Sequence, residues 1–166
     1  DQKKDLLLNE LWLKNFNLLK KFDLSFDILI YYTQYKQALD LIKKFPSVQF
    51  LINHCLWPEE SLNDFDGWKK ALNEMSKLDN VALKISGFGE WKTNWSTDFI
   101  GNYIKTAIDS FGTKRCMFAS NFPVDKFISK SSYKSFWLAY MKIISKFSDT
   151  EINDLFMKNA EKYYRI

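Results

Sequence analysis

The apolar positions of the chain alternate between helical spacing and short continuous runs. Helical spacing over residues 6–22 predicts a first amphipathic helix, and a compact apolar run over residues 24–31 predicts a first strand. The same alternation continues to the end of the chain. It predicts, in order, a helix over 38–45, a strand at 48–53, a helix at 64–78, a strand at 81–86, a helix at 96–111, a strand at 116–120 and two final helices.

Residues with strong local preferences mark the ends of these helices. Pro46 stops the second helix, because proline lacks the N–H group and disfavours helical geometry in the residue before it. Ser96 or Thr97 caps the long helix that follows the third strand, and Gly112 ends it, where a left-handed residue is tolerated. The last helix begins with a capping box at residues 148–151.

Strands that alternate with helices indicate right-handed crossovers and therefore a parallel sheet. No internal repeat, low-complexity tract or linker divides the chain. We therefore expect one α/β domain over residues 1–166, with four parallel strands and surrounding helices.

The composition is that of a folded domain with a modest charge. Hydrophobic residues make up 46% and aromatic residues 17% of the chain, which excludes a disordered protein. The net charge of +4 comes from lysines scattered along helical faces, so we expect no nucleic-acid partner.

No apolar stretch approaches the roughly 20 residues that span a membrane, and the N-terminal residues lack the apolar core of a signal peptide. We expect no membrane partner and a cytoplasmic location. Cys55 and Cys116 adjoin apolar runs, where buried free thiols are more common than a disulfide.

Polar side chains gather where the predicted strands end, and ligands of parallel α/β folds bind outside those carboxyl ends. The candidates are Tyr32 and Gln34 after the first strand, His54 after the second, Lys84 and Ser86 in the third, and Asn121 after the fourth. His54 is the only histidine of the chain.

Strand alternation assigns these candidates to faces of the sheet. It places His54 with Phe50 and Ile52, Lys84 and Ser86 with Ala82, and Asn121 with Met117 and Ala119. We expect the inner face of the sheet to carry these polar ends together with the apolar residues Ile28, Ile30, Ile52 and Ala119.

Each candidate also has a purely structural interpretation. His54 fits a hydrogen-bonded structural histidine, Lys84 fits an ion pair with a carboxylate, and Asn121 fits an ordinary turn. Four tryptophans fit either lids over a cavity or helix packing: Trp57, Trp91, Trp95 and Trp137.

Five segments carry a familiar pattern: Leu24–Asp27 with Ile30–Gln34, Phe50–His54, Asn80–Gly87, Phe111–Lys126 and Asn159–Arg165. In order and spacing they resemble the amidohydrolase-related family, and in particular its lactonase-like branch, which includes 2-pyrone-4,6-dicarboxylate lactonase and L-fuconolactonase. The resemblance extends over nearly the whole chain.

The resemblance implies the C-terminal half of a TIM-like (β/α)8 barrel with a hydrolytic site at its mouth. His54 matches a histidine that binds a metal or polarises the substrate carbonyl group. Relatives carry an aspartate where this chain has Asn121, and an amide cannot accept a proton as a carboxylate can. Asp125 is a carboxylate nearby, and Thr33 stands where relatives often carry histidine.

The His-x-His motif of the family's first strand has no counterpart in this chain, and a whole barrel takes about 250 residues. We therefore expect roughly the first half of the barrel to be absent. An open half leaves sheet edges unpaired and the inner face partly exposed. Such a chain would associate with itself, pair with a separate N-terminal half-barrel or collapse into a flavodoxin-like sheet.

The leading hypothesis is a hydrolase that in its complete form acts on a lactone or similar cyclic ester, while this fragment alone is inactive. His54 and Asn121 would be catalytic, and the small-molecule substrate would contact Tyr32, Gln34, Lys84 and Ser86. His54 is the candidate metal ligand, and the cofactor is either a divalent metal such as zinc or none. Two alternatives remain open: a non-catalytic barrel fragment that acts as a binding or assembly module, and an unrelated doubly wound domain that binds a nucleotide.

Overall fold

The computed structural model describes residues 9–58, 64–129 and 131–166. Its strands are β1 (Phe26–Ile28), β2 (Phe50–Ile52), β3 (Val81–Ile85) and β4 (Cys116–Phe118). Its α-helices are α1 (Glu10–Phe16), α2 (Leu18–Lys21), α3 (Tyr35–Lys44), α4 (Phe65–Ser76), α5 (Phe88–Trp91), α6 (Thr97–Phe111), α7 (Val124–Ser129), α8 (Tyr133–Ile143), α9 (Asp149–Asn153) and α10 (Asn159–Tyr164). A π-helical segment, Asp154–Lys158, joins α9 to α10.

The strands form one parallel sheet in the order β1-β2-β3-β4, which confirms the predicted parallel pairing. Each strand lies beside the next one along the chain, and at least one helix crosses over between them. A doubly wound sheet reverses its strand order at a switch point, whereas this order runs in one direction, as in a barrel. The doubly wound fold of the alternative interpretation is therefore wrong.

The predicted helices are confirmed more closely than the strands. Ser96 caps α6 by accepting a hydrogen bond from the backbone N–H of Phe99, and Gly112 follows that helix with a φ of 76°. The first predicted helix divides at Asn17 into α1 and α2, and its residues 6–8 lie outside the described residues. The predicted strands are longer than the observed ones, since short strands of a barrel pass quickly into turns.

The larger core lies between the sheet and the helices on its outer face. It includes the strand residues Ile28, Phe50, Ile52, Leu83, Ile85 and Phe118 together with helical residues such as Trp68 and Tyr140. The prediction that Ile28 and Ile52 face inward is therefore wrong. In β1 and β2 the strand alternation is shifted by one residue from the predicted assignment, so these side chains pack against helices, whereas Ala82 of β3 and Met117 of β4 lie on the inner face as predicted.

The inner face carries Leu51, Ala82 and Met117, which contact Tyr163 of α10. The Tyr163 hydroxyl donates a hydrogen bond to the carbonyl oxygen of Lys114 (3.1 Å), which precedes β4. Helix α10 therefore covers the part of the inner face near the strand starts. The expectation of an exposed apolar inner face is wrong there, because these three strand side chains are buried.

Cys55 and Cys116 are both buried free thiols, as predicted. Among the described residues, none of the helices combines the length and apolar character needed to cross a lipid bilayer.

Asn159, the first residue of α10, holds this helix against the sheet through two hydrogen bonds. Its Nδ2 donates to the carbonyl oxygens of Thr113 and Cys116, each at 2.6 Å, and Asn159→Ala would leave both acceptors without this donor. We expect this change to lower the free energy of unfolding by about 1–3 kcal/mol, measured by urea denaturation. The control Asn153→Ala removes an exposed asparagine from α9 and should change the unfolding free energy by less than about 0.5 kcal/mol. Equal midpoints for the two variants would contradict the assignment.

Candidate functional site

A cavity of about 270 Å³ lies at the carboxyl ends of the first three strands. Its lining residues are Leu29, Ile30, Tyr31, Gln34, His54, Trp57 and Glu90. The cavity combines an apolar wall with an imidazole, an amide and a carboxylate. Small-molecule sites likewise combine apolar walls with a few polar groups that orient the ligand.

A left-handed turn directs His54 toward this cavity. The strand β2 ends at Ile52, and residues 54–57 have φ values of 52°, 54°, 59° and 35°. Each such non-glycine residue costs roughly 1–2 kcal/mol, so surrounding contacts must hold the turn. Cys55 and Leu56 are fully buried, and the Trp68 Nε1–H donates to the Cys55 carbonyl oxygen at 2.7 Å.

The strand alternation that predicted His54 on the same face as Phe50 and Ile52 therefore does not apply to His54. The strand ends before His54, and the turn changes the direction of its side chain.

The third strand end holds the His54 ring in place. The Nδ1 atom of His54 lies 2.8 Å from the Ser86 hydroxyl oxygen, and Ser86 is fully buried. Gly87 has a φ of 81°, and a Cβ atom there would lie 2.9 Å from the Cγ and Nδ1 atoms of His54. Residue 87 must therefore be glycine for the ring to occupy this position.

His54 is neutral at physiological pH. Burial, together with the smaller effect of the positive charge of Lys84, lowers the pKa of its imidazole to about 4. A neutral imidazole can donate from one ring nitrogen and accept at the other.

A second polar cluster adjoins the cavity through Glu90. The Nδ2 atom of Asn121 donates to Oε2 of Glu90 (3.2 Å) and to Oδ1 of Asp125 (2.7 Å). The other Asp125 oxygen, Oδ2, accepts from the backbone N–H of Gly89 at 3.2 Å. Asn121 therefore joins two carboxylates, one that lines the cavity and one that is buried.

The pKa of Asp125 is raised to about 6, chiefly by burial and to a smaller extent by the negative charge of Glu90. The hydrogen bonds from Asn121 and Gly89 act in the opposite direction, since they stabilise the charged carboxylate.

Lys84 forms an ion pair on the inner face of the sheet. Its Nζ lies 3.3 Å from Oδ1 of Asp27 and 5.5 Å from the ring centroid of Tyr164, whose hydroxyl donates to the same Asp27 oxygen at 2.8 Å. Lys84 thus pairs with a carboxylate, as its structural interpretation predicted. It is not among the residues that line the cavity.

Tyr32 points away from the cavity, contrary to its predicted role in substrate binding. It is buried, and its hydroxyl donates to Oδ2 of Asp64 at 3.1 Å. The short 3₁₀ turn Tyr32–Gln34 rotates the chain after β1, so Tyr31 and Gln34 line the cavity instead.

Of the other candidates, Gln34 and His54 line the cavity directly, Ser86 contacts His54, and Asn121 contacts Glu90. The sequence pattern indicated no site role for Tyr31 or Glu90, although both line the cavity. The signal for Glu90 was its position just after Gly87-Phe-Gly89, where the chain leaves a strand end. Trp57 lines the cavity, whereas Trp91 belongs to the buried core.

The described residues contain no group of three or more histidine, cysteine, aspartate or glutamate side chains placed to hold a metal ion. His54 could contribute one ligand, since its Nδ1 is engaged by Ser86 and Nε2 is the remaining ring nitrogen. A metal would need its other ligands from outside this part of the chain.

Comparison with known proteins identifies the family. The family model described as Amidohydrolase matches residues 1–166. The chain belongs to the amidohydrolase family. It is 42% identical over 155 residues to the uncharacterized protein y4mH of Sinorhizobium fredii, covering 93% of this chain and 52% of that protein. It is 25% identical over 147 residues to L-fucono-1,5-lactonase of Burkholderia ambifaria, covering 87% of this chain and 51% of the lactonase.

The fold is shared with a crystal structure of an amidohydrolase from Burkholderia multivorans with bound Zn. The TM-score is 0.88 at 20% identity, and the match covers 97% of this chain and 59% of that one. The chain thus spans about half the length of the curated relatives it matches. The prediction of an amidohydrolase half-barrel with lactonase relatives is confirmed.

The imidazole of His54 should titrate far below its ordinary range. Because it is the only histidine, its ring resonances can be followed by NMR without assignment ambiguity, and we expect a midpoint at about pH 4. Lys84→Met should raise the midpoint by removing a positive charge, yet leave it below 6.5 because burial is the larger cause. The control Lys77→Met removes an exposed lysine from the surface. A wild-type midpoint near 6.5 would contradict the buried geometry.

Asp125 should make stability depend on acidity. Its pKa in the folded state, about 6, lies above the value of 3.8 for an unperturbed aspartate, so the folded chain binds more protons between these two values. The unfolding free energy should therefore fall as pH rises from about 4 to 6, relative to Asp125→Asn, by at most about 3 kcal/mol. Urea denaturation of both proteins across this range measures the difference. Parallel curves for the two proteins would show that Asp125 is not the titrating group.

Proposed function

We propose that this half-barrel supplies one wall of an active site that hydrolyses a lactone or related cyclic ester in the complete enzyme. The complete enzyme means residues 1–166 joined to, or paired with, the half that closes the barrel. The observation that carries the proposal is a neutral His54 and the carboxylate of Glu90 in one cavity at the strand ends. The relative named L-fucono-1,5-lactonase supports the substrate class.

In this proposal His54 polarises the carbonyl group of the lactone. We assign the Ser86 hydroxyl, 2.8 Å away, as the donor to Nδ1, which leaves the proton of the neutral ring on Nε2 to donate to the carbonyl oxygen. A donor already held in position stabilises the negative charge that develops when water attacks. Ser86 is then a positioning residue rather than a substrate contact.

The remaining site residues contribute to binding and orientation. Gln34 contacts the substrate from the cavity wall, and Tyr31 takes the place that Tyr32 was predicted to fill. Asn121 orients the groups near the attacking water through its bond to Glu90. Lys84 acts through its charge on His54 while it remains paired with Asp27.

A divalent metal such as zinc is supported by the structural neighbour that was crystallised with Zn. When bound, such an ion lowers the pKa of a water molecule and so supplies a nucleophile. The described residues do not by themselves form a metal site, so we derive no step through a metal.

The partners that complete the proposal are a small-molecule substrate and either a second copy of the chain or an N-terminal half-barrel. We retain residues 1–166 as one partial barrel domain. The two buried free cysteines support a reducing compartment such as the cytoplasm.

The alternative is a binding or assembly module without activity. An amide at residue 121, where relatives of the family carry the aspartate that activates water, favours this alternative.

Activity measurements separate the two. We expect the isolated chain to open sugar lactones at a rate close to the uncatalysed one, and the complete enzyme to open them readily, followed by the acid released into a pH indicator. His54→Ala should lower kcat/KM of the complete enzyme by about 100-fold or more. Lys43→Ala, which removes an exposed lysine from α3, should leave the rate unchanged.

Two results would contradict the proposal. Turnover by the isolated chain that is lost in His54→Ala would refute the requirement for a second half. A complete enzyme that opens no lactone would leave the binding or assembly module as the function.

A further inference from the structure

We propose that Glu90 accepts the proton of the attacking water, the role that the amide of Asn121 cannot perform. This inference rests on the proposed lactone hydrolysis. It names a residue that neither the motifs nor the resemblance pointed to.

The position of Glu90 meets the first requirement of a general base, which is access to the substrate. Glu90 lies in the short helix α5, four residues after Ser86, and it is half-buried. Among the described residues that line the cavity it is the only carboxylate, and it shares that cavity with His54 and Gln34. A water between a bound lactone and Glu90 would therefore meet an acceptor on one side and a polarised carbonyl group on the other.

The hydrogen bonds of Asn121 meet the second requirement, which is a fixed orientation. The side-chain nitrogen of Asn121 carries two protons, and the two carboxylates Glu90 and Asp125 accept one each. Both donors of the amide are thus occupied by acceptors, and the Oε2 atom of Glu90 is held in place. Among the described residues the Asn121 bond engages Oε2, so the other Glu90 oxygen, Oε1, is the atom we assign to the water.

The same contacts explain why an amide occupies residue 121. An aspartate there would place a third carboxylate beside Glu90 and Asp125, and like charges at hydrogen-bond distance strongly oppose ionisation. The amide instead donates to both. An amide at residue 121 is therefore compatible with carboxylates at both residue 90 and residue 125.

Asp125 supports Glu90 from the buried side. It binds Asn121 with one oxygen and the backbone N–H of Gly89 with the other, so it fixes the residue that directly precedes Glu90. A Cβ atom at residue 89 would lie 3.0 Å from Cγ of Asp125 and 2.5 Å from the Ser129 hydroxyl oxygen. Asp125 is accordingly a positioning residue.

The reaction balances with water as the only co-reactant. The water oxygen forms a bond to the lactone carbonyl carbon while Glu90 takes one of its protons. The bond between that carbon and the ring oxygen then breaks, and Glu90 returns the proton to the departing ring oxygen. The product is the open-chain hydroxy acid, and Glu90 is again a carboxylate.

The test uses the complete enzyme with a sugar lactone. Glu90→Gln should lower kcat by about 100-fold or more while KM changes by less than about threefold, since proton transfer contributes on the order of 10²–10⁴. Glu74→Gln, which removes an exposed carboxylate paired with Lys77 on α4, should retain the wild-type rate.

Chemical rescue separates a proton acceptor from a structural group. In Glu90→Ala, added formate should restore turnover in proportion to its concentration, because it can enter the vacated space and accept the proton. Formate should not rescue His54→Ala, which lacks a donor rather than an acceptor.

The outcomes are distinguishable. If the wild-type complete enzyme opens no lactone, the proposed function is wrong, and the proposed role of Glu90 is wrong as well. Wild-type turnover that persists in Glu90→Gln overturns the role of Glu90 alone, as does a folded Glu90→Ala variant that formate does not rescue.

Discussion

The space that the missing side chain of Gly87 leaves for the His54 ring is the constraint on which the site depends. The ring occupies the volume that any other side chain at residue 87 would need, and a glycine also permits the left-handed backbone there. With the ring in this space, its Nδ1 atom lies 2.8 Å from the Ser86 hydroxyl oxygen, and burial keeps the imidazole uncharged. The left-handed turn that presents His54 is costly in isolation, and the packed residues beneath it hold the turn in place.

The two halves of the site differ in how they are supported. His54 is presented by a turn after β2 and held by the end of β3. Glu90 is presented by α5, and a buried carboxylate and an amide from the segment after β4 hold it. Residues that follow β2, β3 and β4 thus act together at one site. The parallel order of the sheet, which brings these strand ends to one edge, therefore matters for chemistry as well as for packing.

The sequence predicted the parallel sheet and the neighbourhood of the site, because alternating helices and strands leave few arrangements for the strand ends. The sequence did not predict the direction of individual side chains where a strand passes into a turn. Each of the strands that end beside Tyr32 and His54 has three residues, so alternation could not be extended to either side chain. The pairing of Lys84 with Asp27 joins residues far apart in sequence, and Glu90 lies beyond a strand end inside a helix, where no periodicity marks it.

Tyr163 packs against the inner face and bonds to Lys114 just before β4, and Tyr164 bonds to Asp27 in the middle of β1. In a closed barrel the floor beneath a bound molecule would therefore be built by this chain, while the completing half would add side walls. The aromatic rings and the Asp27–Lys84 pair would limit how deep a molecule descends. A longer substrate would have to extend outward through the mouth, so selection by size would act on the loops at the rim.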